Sequence, residues 1–174
     1  MSTVSIALII IGSIAAIILV LVYISNNDQK NKKEKILSQF NHAGTESNMS
    51  FISQELLHDR IIGLDGLNKK LLILESNEDD YDHTIINLQD VKACNVKKIY
   101  QATNIGTSRK PVIEQHLEKV VLLFEFKDEK RKIEMPFFDF SKNHIYQLAE
   151  MEQKAKFWEA SLSKFITSSV KKIA

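Results

Sequence analysis

The chain has 174 residues, with 23 basic and 22 acidic side chains and a single cysteine, Cys94. This near-neutral balance lacks the basic footprint of a nucleic-acid-binding protein, so nucleic acid is excluded as a partner. One cysteine excludes an intramolecular disulfide, and the length suits one domain with its own core behind a leader segment.

Val4 to Ile24 is an uncharged run of 21 residues, which at about 1.5 Å per helical residue reaches roughly 30 Å, the thickness of a bilayer's hydrocarbon core. A cleaved signal would carry a basic start, a shorter apolar stretch and a small-x-small cleavage site. Met1-Ser2-Thr3 and Tyr23-Ile24-Ser25 supply none of these, and the run is expected to stay as a transmembrane anchor over residues 1–25. Lys30, Lys32, Lys33 and Lys35 all follow it, and basic flanks stay on the cytoplasmic side. The expected location is a bacterial inner membrane, single-pass, with the C-terminal domain cytoplasmic. Lysine outnumbering arginine 20 to 3 fits the bacterial assignment as a compositional habit.

Residues 26–50 read as a juxtamembrane helix and linker. Ile36, Leu37 and Phe40 share one side of a helix, and "HAGTESNMS", residues 42–50, collects the residues of a break. A folded domain is expected over 51–174. Within it, Asp65-Gly66-Leu67-Asn68 separates two apolar segments as a hairpin turn able to supply positive φ. Leu71 to Leu74 run without interruption, as in a strand covered on both faces.

"NEDDYDH", residues 77–83, reads as a polar connection, and "TIINLQDVKACNVKKIYQ" as one or two strands. Residues 101–115, with Gly106 and Pro111, read as an exposed loop. Leu122, Phe124 and Phe126 alternate on one arm of a hairpin, and Ile133, Met135 and Phe137 on the other, about a charged turn at Lys127–Lys130. From Ser141, a candidate N-cap, Ile145, Leu148, Met151, Ala155, Trp158, Leu162 and Phe165 step by threes and fours as the buried stripe of one long helix. The fold class expected is α+β: an N-terminal transmembrane helix, then an antiparallel sheet closed by a long amphipathic C-terminal helix.

The segments "IIGLDGLNKKLLIL", "INLQDVKACNV" and "VVLLFEFKDEKRKIEM", followed by a helix with Trp158 near its middle, cover roughly residues 57–170. In that order they resemble the pleckstrin-homology-like family, and the resemblance implies a curved sandwich or partly open barrel plugged by the helix. It implies no catalytic residue. Phosphoinositide-binding members carry a further arginine in the first hairpin; here Arg60, Lys69 and Lys70 stand without it, so no headgroup site is implied.

Other chemistry is sparse. Asn77–His83 concentrates oxygen ligands but lacks the alternate acids, central glycine and distal glutamate of a calcium loop. Cys94 between Ala93 and Val96 reads as a small buried residue rather than a nucleophile served by His83 or His116. His42, His58, His83, His116 and His144 form no zinc spacing. Ser161-Leu162-Ser163-Lys164 matches a serine–lysine pattern without its companion motifs. No catalytic, cofactor or metal residue is assigned, no cofactor is expected, and the protein is not expected to be an enzyme. The expected function is a membrane-tethered, non-catalytic binding or scaffold module. Its partners would be the bilayer through residues 4–24 and another protein. The alternative is a structural subunit of an envelope complex assembled through its transmembrane helix.

Overall fold

A computed structural model describes residues 20, 23, 24, 27, 30–77, 80–104, 113–128 and 130–167. Helix α1 covers residues 30–46, and the strands are β1 (Ser53–Leu56), β2 (Arg60–Asp65), β3 (Lys70–Asn77), β4 (Asp80–Asn87), β5 (Val91–Asn104), β6 (Ile113–Phe126) and β7 (Lys132–Asp139). A 3-10 turn, Ile145–Gln147, leads into helix α2, Leu148–Thr167. The strands form two antiparallel sheets, β1-β2-β3-β4 and β5-β6-β7.

Both faces of the first sheet are covered, which is why β2 and the middle of β3 are buried at every position. Alternate strand residues face opposite ways. Ile62, Leu64, Leu71, Ile73 and Ile86 therefore join the main core with the second sheet and α2, while Ile61, Leu72 and Leu74 meet Ile36, Phe40 and Ala43 of α1. Gly63 on β2 makes the close approach of α1 possible, since a Cβ there would stand 2.4 Å from Phe40 Cζ. Helix α2 buries Met151, Ala155, Trp158, Leu162 and Ile166 across the main core.

This architecture corrects the fold class expected from the sequence. The described residues hold two antiparallel sheets and two α-helices, and among them no helix is long and apolar enough to cross a membrane. The charges are the reason: α1 carries Lys30, Lys32, Lys33, Glu34, Lys35 and Glu46, and α2 alternates glutamates and lysines along its exposed side. The run Val4–Ile24 lies, apart from Val20, Tyr23 and Ile24, outside the described residues. The expected inner-membrane location and cytoplasmic orientation are overturned on the same finding, that no helix among the described residues is long and apolar enough to cross a membrane.

Several local expectations change as well. Residues 42–46, read as the start of a break, are helical. In the β2–β3 turn the positive φ falls on Lys69, at 53°, and on no glycine. Of the polar run at 77–83, Asn77 ends β3 and Asp80 to His83 are already in β4, while residues 78 and 79 lie outside the described residues. The loop expected over 101–115 is strand up to Asn104 and again from Ile113, and residues 105–112 lie outside the described residues.

Phe137 and Phe138 are both buried, because the β6–β7 register skips a residue between Val120↔Phe138 and Val121↔Pro136 and breaks the alternation. Ser141 sits in a turn, its N–H and hydroxyl donating to Asp139 Oδ1 at 2.9 and 2.6 Å. The 3-10 winding at 145–147 rotates Ile145 off the α2 stripe, leaving it 61% exposed.

Candidate interaction surface

A sheet edge presents unpaired N–H and C=O groups, and proteins block such edges against unwanted pairing. Here the edges are blocked by different means. β1 is four residues long, and its Glu55 is tied to Lys154 of α2 at 3.0 Å. β4 exposes Asp80, Asp82 and His83, and Asp82 accepts from Asn77 Nδ2 at 2.8 Å. β7 carries Pro136, which has no N–H to offer. On β5 the Val96 N–H donates to the Glu159 carboxylate of α2 at 2.8 Å.

Among the described residues, the end of the second sheet beyond β7 lacks a strand on either side of the β5–β6 pair. β6 is paired with β5 from Ile113 to Phe126, but with β7 only from Lys119 to Glu125. The last rung is the Phe140 N–H donating to the Glu118 carbonyl at 2.9 Å. Beyond it Asp139 bends the chain away by accepting from Ser141, while its own N–H donates to Asn143 Oδ1 at 2.9 Å. Residues 113–117, paired with Tyr100–Asn104, project as a two-stranded ribbon roughly 16 Å long at about 3.3 Å per residue. Among the described residues no strand covers the side of the ribbon that continues the line of β7.

Apolar side chains surround its base. Phe140 is 53% exposed, Tyr100 56% and Tyr146 77%. The Phe140 and His116 rings lie 6.3 Å apart, and His144 stacks on Tyr146 at 5.3 Å. Glu159 reaches Val96 and Glu152 reaches Lys98 at 2.9 Å, so α2 runs along β5 with its N-terminal end, Ile145 and Tyr146 included, toward Tyr100. Leu117 and Leu148 both border the main core.

Of the residues singled out by sequence, His116 and His144 lie beside this surface and the others do not converge on it. Cys94 is buried opposite Phe124; burial first, and the nearby Glu159 carboxylate second, push its thiol up to about 12, which leaves it protonated at neutral pH. His116 lies eight residues along β6 from Phe124, roughly 25 Å at about 3.3 Å per residue, and His83 belongs to the other sheet. Lys164 and Ser161 lie on α2, where Ser163 rather than Ser161 bonds the helix backbone, donating to the Glu159 carbonyl. Among the described residues no three His, Cys, Asp or Glu side chains are grouped to hold a metal ion.

Arg60 is buried and committed to Asp59 at 2.9 Å and Glu75 at 2.9 Å. Asp59 also takes Lys142 at 2.7 Å. This ion-pair knot closes a cleft of about 10 Å³ between the β1–β2 turn and the β7–α2 loop, space for roughly one water. Burial alone would raise the Asp59 pKa, but the hydrogen bonds from Arg60 and Lys142 outweigh it and hold the carboxyl at about 2. The knot fastens the two sheets and offers no open cation or anion site.

The uncovered strand escaped the sequence reading because Gly106 and Pro111 drew a loop over its ends. The signal was the alternation of Ile113, Gln115 and Leu117 running into Val120–Phe126 without a breaker. No family model, curated protein or solved structure matches this chain, and nothing in those comparisons identifies a pleckstrin-homology-like domain or a bacterial origin.

Proposed function

We propose that this protein is a non-catalytic interaction module that takes up an extended protein segment as an added strand along residues 113–117 of β6. The observation carrying this reading is that β7 ends at Asp139 while β6 runs back to Ile113, so that among the described residues no strand lies on the β7 side of residues 113–117, next to the exposed Phe140. An added strand would continue the line of β7, bonding through its main chain, with the exposed Phe140 offering apolar contact for its side chains. A protonated, buried Cys94 supports the non-catalytic side of the reading.

Selection of a random-peptide display library on the full chain tests it. Extended peptides with alternating apolar residues are expected, with affinity falling at least tenfold on Phe140→Asp, a change at an exposed position that leaves the core intact. Failure to select any peptide, or affinity indifferent to Phe140→Asp, would overturn the reading.

A further inference from the structure

We infer that the amino-terminal end of α1 is a contact surface for an anionic lipid bilayer, lying against the bilayer without crossing it. Lys30, Lys32, Lys33 and Lys35 stand in a short stretch whose one acid is Glu34. All four are exposed, and among the described residues none of them meets an acid at ion-pair distance. By contrast Lys98 and Lys156 meet Glu152, Lys119 meets Asp139, Lys132 meets Glu125, Lys142 meets Asp59 and Lys154 meets Glu55. Helix α1 docks on the first sheet through Ile36, Phe40 and Ala43, spaced i, i+4 and i+7. Lys32 and Lys33 continue that face one turn earlier, yet they are exposed. The helix has therefore run past the sheet, and it carries its lysines clear of the folded body.

Acidic polymers and anionic lipid surfaces both attract such a collar, and the apolar residues beside it select the lipid. Val20, Tyr23 and Ile24 close the uncharged run of the sequence, are helical, and are 57%, 74% and 50% exposed. Their spacing of i, i+3 and i+4 puts them on one helical face. Exposed apolar side chains with an aromatic among them, followed by lysines, suit a helix seated at the boundary between headgroups and acyl chains. A soluble acidic partner gives these side chains no apolar medium, and the near-neutral chain does not suit nucleic acid. Each lysine held at an anionic surface is worth about fivefold in affinity. This surface belongs to α1, whereas the strand-addition edge belongs to β6 of the other sheet, so the two readings stand or fall separately.

Vesicle flotation of the full chain tests the inference, comparing vesicles of phosphatidylcholine alone with vesicles of equal parts phosphatidylcholine and phosphatidylglycerol. Binding to the mixed vesicles is expected to be at least tenfold tighter, and salt at about 1 M, which shortens the screening length to about 3 Å, should abolish the difference. Lys30→Gln, Lys32→Gln, Lys33→Gln and Lys35→Gln together should remove the preference. The same loss of charge at the exposed Lys97, Lys127, Lys130 and Lys164 should leave most of it. Tyr23→Trp should shift its emission to the blue on mixed vesicles, against the constant background of buried Trp158. Equal affinity for the two kinds of vesicle, or a preference that survives the four changes in α1, would overturn the inference. Binding to soluble polyglutamate as tight as to mixed vesicles, with no shift from Tyr23→Trp, would assign the collar to acidic protein segments and overturn it as well.

Discussion

The carboxylate of Glu159 accepts the main-chain N–H of Val96 at 2.8 Å, joining residues 63 positions apart in the chain. A side chain from α2 thus occupies the place a neighbouring strand's carbonyl would take on β5. Glu159→Ala is expected to cost about 1.5–3 kcal/mol, the range for a hydrogen bond to a charged group, measured by urea denaturation. Glu159→Gln keeps an acceptor and should lose less. Removing the charge should also lower the Cys94 pKa, by less than burial raises it, as read by the pH dependence of thiol modification.

Asp65 is fully buried, and its carboxylate accepts from the main-chain N–H groups of Ser50, Leu67 and Asn68 and from Asn68 Nδ2, at 2.7–3.0 Å. It fixes the β2–β3 turn and ties the end of α1 to it. Burial would raise its pKa; the bonds from Asn68, Ser50 and Leu67 outweigh that and hold it below the usual carboxylate range. Asp65→Ala should cost about 3–5 kcal/mol, since several donors lose their acceptor together, with Asp65→Asn intermediate. Equal stability of Asp65→Ala and the parent in denaturant would contradict this.

Acid should unfold the protein partly through the knot at Asp59. Its folded pKa is lowered, so its contribution is present above the unfolded value near 3.8 and is lost as pH falls from there through about 2. The expected loss is about 1 kcal/mol once solvent screening is allowed for. Lys142→Met should shrink this acid-dependent loss while changing stability at pH 7 by a similar amount. Denaturation midpoints between pH 5 and pH 2 measure both.

Gly63 leaves the room that the Phe40 ring of α1 occupies against the first sheet. Gly63→Ala should destabilise by about 1–3 kcal/mol through overpacking. Trimming the opposing ring with Phe40→Leu should recover part of that in the double variant. Faster hydrogen exchange in residues 36–46 with the main core unchanged would locate the damage at α1.

Much of the strand order was legible in the sequence, and the failures have physical causes. Consecutive Leu71–Leu74 reports a strand buried on both faces, and that reading survives because α1 does cover the second face. The Lys127–Lys130 turn falls where the β6–β7 hairpin reverses, with Arg131 N–H donating to the Asp128 carbonyl at 3.0 Å. Alternation failed at Phe137 and Phe138 because a bulge lies in the register, a property of the pair of strands and not of either one. The interaction surface was invisible for a related reason: an edge is uncovered only relative to its neighbour, and here β7 ends while β5 and β6 continue. The anchor was argued from one uncharged run, and the helices among the described residues are too charged to repeat that pattern.

Residue-resolved amide hydrogen exchange over 113–117, with and without a display-selected peptide, tests the central claim most directly. Strand addition predicts at least tenfold slowing at alternate amides of this stretch, abolished by Phe140→Asp. Binding that leaves exchange at 113–117 unchanged, or protects β4 instead, would contradict it.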